Sequence, residues 1–275
     1  MMGRTKTIWM ALLPVAISSL SVLAIAHTRA QNRPPAPPPG QAATPPMVTP
    51  RAMAPIDLTG YWVSVVTEDW RFRMIVPDKG DYASVPLNPR GRQVASTWDP
   101  AKDKANGEQC RSYGAPAIMR VPGRIHISWE NDDTLRIDTD SGTQTRILHF
   151  SGAAPSSERP TWQGYSVADW EGLRPIPFFM QGHDTGPAEG YLKVITTHMR
   201  PGYLRKNGVP YSAGAALEEY FDTFKELNGD QWLVVTTIVA DPAYLFQPFI
   251  TSTHFKKLSS DSGWDPTECH ADQPR

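Results

Sequence analysis

Three residues in this chain are of the right types to share one site: His149, His198 and Glu219. Two imidazoles and a carboxylate can hold Zn²⁺ or Fe²⁺ and leave a position open for water or substrate. The same trio can instead work as a general acid/base set, for isomerisation, dehydration or metal-assisted hydrolysis. A carboxylate among apolar neighbours is pushed towards its neutral form unless a cation partners it, and an imidazolium is one such partner. The plainer alternative is that the histidines are satisfied core residues and Glu219 lies on the surface. No catalytic motif competes with the trio. The chain has no His-Glu-x-x-His, no phosphate-binding glycine loop and no Ser-x-x-Lys, and Pro210-Tyr211-Ser212-Ala213-Gly214 departs from Gly-x-Ser-x-Gly at its first residue. Arg200, Arg205 and Lys206 cluster just after His198. They are either a solvated loop or a screen for an anionic ligand at a barrel mouth. His126, opposite Asp138, reads as an exposed pair, His254 and His270 as solvated, and His183-Asp184 as part of a loop.

Whether the trio meets depends on strand faces. Residues 124–130, 134–139 and 143–150 alternate as three strands, and three-residue turns pair Trp129 with Leu135, Ile127 with Ile137 and Leu135 with Ile147. That register puts His149 on the apolar face and leaves Arg136 and Arg146 on the polar one. Alternation over 191–199 sets His198 beside Leu192, Val194 and Thr196. Segments 216–226 and 231–240 flank Asn228-Gly229, the signal for a two-residue type I′ hairpin. Such a turn pairs Phe224 with Leu233, Phe221 with Thr236 and Glu219 with Ile238. Both faces of this hairpin are apolar, so the side taken by Glu219 stays open.

Further strands are expected over 60–67, 70–76, 162–170 and 249–255, with 77–114 a long lid or strap and 171–189 a Pro/Gly-rich loop. The fold class is all-β: an antiparallel meander closed into a barrel of about eight to ten strands. A net charge of −1 without a basic block excludes a nucleic-acid partner. Arg4 and Lys6 precede an apolar run over 8–26, followed by small residues that offer cleavage after Ala26 or Ala30. Residues 1–30 therefore read as a signal peptide, with an uncleaved anchor as the alternative. Residues 31–55 read as a Pro-rich disordered linker, 56–258 as the barrel and 259–275 as a C-terminal tail. The expected location is periplasmic or secreted, with no transmembrane segment in the mature chain. Cys110 and Cys269 are the only cysteines and, in an exported chain, are expected to form a disulfide.

Gly60-Tyr61-Trp62 at the first strand resembles the signature of lipocalin-like barrels, in which the tryptophan packs across the closed end. Asn207-Gly208-Val209-Pro210-Tyr211-Ser212, Glu219-Tyr220-Phe221 and the run Asp241-Pro242-Ala243-Tyr244-Leu245-Phe246-Gln247-Pro248-Phe249 are similar to a family of uncharacterised secreted bacterial proteins with such a barrel. The resemblance implies an exported barrel and assigns no residue roles. Some relatives carry Thr-Glu-His-Phe where this chain has Glu218-Glu219-Tyr220-Phe221. The expected function is binding of a small apolar or aromatic molecule in the lumen. Trp62, Trp129 and Trp232 would line the wall, with His198 and Glu219 as polar anchors. An enzyme on the same barrel is one alternative. A cell-envelope interaction module with a solid core and binding loops is another. No cofactor is predicted, and zinc or iron belongs only to the enzyme alternative.

Overall fold

The computed structural model describes residues 48–172 and 190–275. The proposed signal peptide, most of the linker and His183-Asp184 lie outside them. Nine strands close into a barrel: β1 (Gly60–Val65), β2 (Arg124–Asn131), β3 (Thr134–Thr139), β4 (Gln144–His149), β5 (Tyr165–Glu171), β6 (Tyr191–Thr197), β9 (Ala216–Lys225), β10 (Gln231–Ala240) and β11 (Phe249–Lys257). Between β6 and β9, β7 (Gly202–Arg205) and β8 (Val209–Tyr211) form a separate hairpin. Strand direction cannot alternate all the way round a closed ring with an odd number of strands. One neighbouring pair must be parallel, and it is β4 with β5, joined only at Leu148–Ser166 and His149–Val167. The barrel is therefore mixed, which corrects the fully antiparallel expectation.

Two turns are one residue away from the expected register, and each changes which side chains point inward. β2 and β3 pair as read, Trp129 with Leu135 and Ile127 with Ile137. The next loop takes in Thr143 as well, with Gly142 at φ 75° and Thr143 at φ 48°. Leu135 then faces Leu148, and Ile137 faces Arg146. A one-residue slip sends a strand's side chains to the opposite face, so Arg146 and Leu148 enter the barrel while Ile147 and His149 leave it. In the central hairpin the Glu226 N–H donates to the Asp230 carbonyl at 2.9 Å and the Gly229 N–H to the Glu226 carbonyl at 2.9 Å. Gly229, at φ 90°, closes a three-residue loop rather than a type I′ turn. Thr223 faces Leu233, Phe221 faces Val235, and Glu219 faces Thr237. Glu219 thus shares the interior with Leu217, Phe221, Leu233 and Val235.

Short helices close the barrel ends. Residues 50–53, assigned to the linker by composition, form α1 (Pro50–Met53), capped by Thr49. The Trp170 indole donates to the Pro50 carbonyl at 2.8 Å, and Trp129, Phe150 and Trp170 pack ring to ring beneath. At the opposite end, 70–76 contains no strand; α2 (Trp70–Arg73) is a single helical turn there. The expected lid holds α3 (Pro89–Ser96), α4 (Pro100–Ala105) and a 3₁₀ turn (Gln109–Ser112), followed by α5 (Ala115–Ile118). Asn88 and Asp99 cap α3 and α4, each followed by a proline at the first helical position. This cap and the β7–β8 hairpin bury a second core with the strand ends Leu217, Val239 and Phe249. The Cys110–Cys269 disulfide ties the C-terminal tail to it.

Candidate functional site

Among the described residues, the barrel interior holds a fully buried ion pair. Arg146 and Glu219 are both 0 % exposed, with Nη1 to Oε1 at 3.0 Å and Nη2 to Oε2 at 2.5 Å. Arg146 Nη2 also reaches the Thr196 hydroxyl at 3.4 Å, which bonds Ser166 at 2.8 Å. Leu148, Val194, Phe221, Val235 and Phe255 pack around the pair with essentially no accessible surface. A void wide enough for water would leave accessible area on its lining, so side chains fill this interior.

The expected trio does not converge. Glu219 is inside and committed to Arg146. His149 stacks on Tyr165 outside the wall, with ring centres 4.5 Å apart, in an outer cleft of about 620 Å³ shared with Trp162 and Glu158. His198 turns out of β6 at φ 56° and is exposed, its Nδ1 2.9 Å from the Thr197 hydroxyl. Trp232 lies on the outer face, stacked on Phe224 at 6.3 Å. Trp62 is interior, and its indole donates to the Leu58 carbonyl at 2.9 Å. Trp129 packs on Phe150 at the α1 end. Among the described residues no group of three His, Cys, Asp or Glu side chains is placed to hold a metal.

Buried positive charge gathers at the capped end. Arg73 of α2, Arg120 after α5, and Arg205 and Lys206 of the β7–β8 hairpin are exposed by only 3, 6, 3 and 8 %. All four line one cavity of about 30 Å³, room for one or two water-sized groups. Arg73 pairs with Glu68 and donates to the Arg120 carbonyl at 2.8 Å. Arg120 Nη2 pairs with Asp69 at 3.0 Å. Arg205 gives Nη1 to the Ala83 carbonyl at 2.6 Å and lies 3.9 Å over the Phe72 ring. Lys206 donates to the Tyr113 hydroxyl at 2.6 Å and to the Gln273 and His270 carbonyls at 2.7 and 3.3 Å. Among the described residues neither Arg205 nor Lys206 has a carboxylate partner. Three buried guanidinium nitrogens, Arg120 Nη1 and Arg205 Nε and Nη2, have no protein acceptor. Comparison with protein families, with curated proteins and with solved structures gives no match. The resemblance drawn from the sequence therefore gains no support there, and the chemistry rests on these side chains.

Burial disfavours every charge in the cradle. It lowers the Arg73 pKa to about 10, against the partial rescue of Glu68, and the Arg205 pKa to about 10, with Arg120 adding repulsion. It lowers Lys206 furthest, to about 7, with only Asp272 opposing. Between that value and the ordinary lysine range the unfolded chain holds a proton that the native chain lacks, so this group makes the protein more stable as pH rises through the window. Tyr113, whose hydroxyl accepts from Lys206, titrates above this window, since burial raises it to about 12. Urea unfolding at pH 7 and pH 9 is expected to show the wild type gaining stability relative to Lys206→Met. Parallel pH profiles for the two proteins would refute this reading of Lys206.

Proposed function

We propose that this chain is an exported binding protein whose ligand is a small anion, held at the capped end of a solid barrel. The observation that carries this reading is the convergence of four buried cations, Arg73, Arg120, Arg205 and Lys206, on one small cavity, with no carboxylate in ion-pair contact with Arg205 or Lys206 among the described residues; three guanidinium nitrogens of Arg120 and Arg205 also have no protein acceptor. A buried donor without an acceptor costs about 1–3 kcal/mol, and more when it is charged. Water in the cavity would leave the charge in place, whereas an anion there would offset it. The buried ion pair and the side chains packed in the interior favour the barrel mouth flagged by Arg205 and Lys206 over a ligand in the lumen. The charged N-terminus, the apolar run after it and the disulfide support export. Gly60 and the buried Trp62 support a lipocalin-like scaffold, put to use at its cap.

Arg205→Met tests the proposal because function and stability should move in opposite directions. The variant removes an uncompensated buried cation and keeps its bulk, so it is expected to melt above the wild type in phosphate-free buffer. Phosphate should then raise the melting temperature of the wild type, by the linkage that stabilises any state binding a ligand, and leave Arg205→Met unmoved. Calorimetric titration with phosphate and sulfate measures the same difference directly, with at least about tenfold weaker binding expected from the loss of one charged hydrogen-bonding group. A wild type that responds to neither anion would overturn the proposal.

A further inference from the structure

The barrel wall is least laddered at the seam between β4 and β5. The Phe150 N–H donates to the Asp133 carbonyl at 3.0 Å, on the β3 side. Backbone groups switch edges at each residue of a strand, so Arg146 and Leu148 also face β3, while Thr145, Ile147 and His149 face β5. Only His149 meets a strand there, because β4 and β5 pair at Leu148–Ser166 and His149–Val167 alone. Among the described residues the N–H and C=O groups of Thr145 and Ile147 have no backbone partner. Both residues line the outer cleft of about 620 Å³, whose far side runs from Trp162 to Tyr165. That volume falls within the range of about 300–1,000 Å³ usual for ligand sites.

An open edge of this kind is a template for a further strand, and proteins usually blunt one with proline, lysine or an inward charge. Residues 144–149 contain no proline or lysine, and the inward Arg146 is already neutralised by Glu219. Topology sets the direction of a guest. Nine strands force one parallel joint, whereas a tenth, antiparallel to both β4 and β5, would complete an alternating wall. Register sets its side chains. Guest residues opposite Thr145 and Ile147 point outward with them, onto a face made by Ile147, Trp162 and the His149–Tyr165 stack. β-Branched or aromatic side chains suit that face as cross-strand pairs. The guest residue between them points inward beside Arg146, which has no accessible surface, so it must be small.

We infer that the seam binds an extended peptide segment, antiparallel to β4, by strand addition to the backbone of Thr145 and Ile147. The segment carries a small residue between two β-branched or aromatic ones. Amide hydrogen exchange on the full chain, followed residue by residue by NMR, tests it. In the free protein the Thr145 and Ile147 amides should exchange faster than those of Arg146 and Leu148, which β3 protects. The probes are acetyl-Thr-Val-Ala-Val-Thr-amide, the same peptide with phenylalanine for both valines, and the first peptide methylated on both valine nitrogens. At least one unmethylated peptide should slow exchange at Thr145 and Ile147. Methylation removes two donors of the guest and is expected to weaken binding at least about fivefold. Equal binding of the methylated peptide would mean that side chains and not the ladder are recognised, and would overturn the inference. So would the absence of slowing by either unmethylated peptide at millimolar concentration, or Thr145 and Ile147 amides already as slow as their neighbours in the dilute free protein. Protection that rises with protein concentration alone, beside a heavier species in sedimentation, would make the occupant a second copy of the chain and likewise overturn it.

Discussion

Glu219→Ala should destabilise the protein by about 3–5 kcal/mol, the usual consequence of removing one member of a buried ion pair. At about 2–4 °C per kcal/mol for a domain of this size, the melting temperature should fall by roughly 6–20 °C. The effect is large because the substitution leaves the Arg146 guanidinium charged, fully buried and held only by Thr196 at 3.4 Å, with its Nε already lacking an acceptor. Removing both charges should behave differently. Arg146→Met/Glu219→Leu replaces the pair with apolar side chains of similar length, facing Phe221, Leu148 and Val235, and should recover most of the loss or exceed the wild type. A single variant within about 1 kcal/mol of the wild type by urea unfolding would mean that the interior admits water to the pair. The lumen would then not be the solid core described here. The double variant also separates structure from function. An interior pair with no path to the cap predicts unchanged phosphate binding in a protein that still folds.

The same pair shows where the sequence stops being legible. Strand positions could be read from alternation, and so could the pairing of Trp129 with Leu135 and Ile127 with Ile137, because a half-buried strand writes its inward face every second residue. Loop length is not written that way. Thr143 adopts a left-handed conformation that nothing in its residue type announces. Its inclusion in the loop exchanged His149 for Arg146 inside the barrel, removing one member of the expected trio and supplying the partner of Glu219. Asn228-Gly229 suits both a two-residue type I′ turn and a longer loop closed by a left-handed glycine, so the dipeptide located the hairpin and left its register undetermined. Asn88-Pro89 and Asp99-Pro100 carried the cap-and-proline signal of helix starts, yet in a stretch so rich in Pro, Gly and Asp they read as loop punctuation. Arg205 and Lys206 were legible as a basic cluster near a barrel mouth. Arg73 and Arg120 were not, since one sat in an apparent strand and the other in the unassigned stretch between the apparent lid and the strand at 124. The available signal for Arg120 was its isolation in the apolar run Ala115-Pro116-Ala117-Ile118-Met119-Arg120-Val121, where an unaccompanied arginine is either surface-bound or functional.

Removing the disulfide should cost about as much as breaking the ion pair, by a different route. Cys110 and Cys269 are 159 residues apart, and closing so long a loop restricts the unfolded chain by about 5 kcal/mol in the chain-entropy treatment. Cys110→Ser/Cys269→Ser is therefore expected to melt roughly 10–20 °C below the oxidised wild type. Contacts in the native state set how much of that is seen. The tail is also held by the Thr267 N–H on the Asp140 carbonyl at 2.9 Å, by Arg275 on the Asp140 carboxylate at 3.1 Å, and by the His270 N–H on the Tyr113 hydroxyl at 3.0 Å. If these bonds keep the tail docked in the variant, the loss is that of the unfolded state alone, and brief proteolysis should leave residues 259–275 attached. If the tail comes away, Lys206 loses the His270 and Gln273 carbonyls that accept two of its three hydrogen bonds, and the cradle opens to water. Phosphate affinity is then expected to fall together with stability, because donors that are already hydrated gain less from an anion. A melting temperature unchanged on removal of both sulfurs would show that the tail does not constrain the unfolded chain. A lowered melting temperature with an intact phosphate response would instead place the disulfide in the fold's stability and outside the anion site.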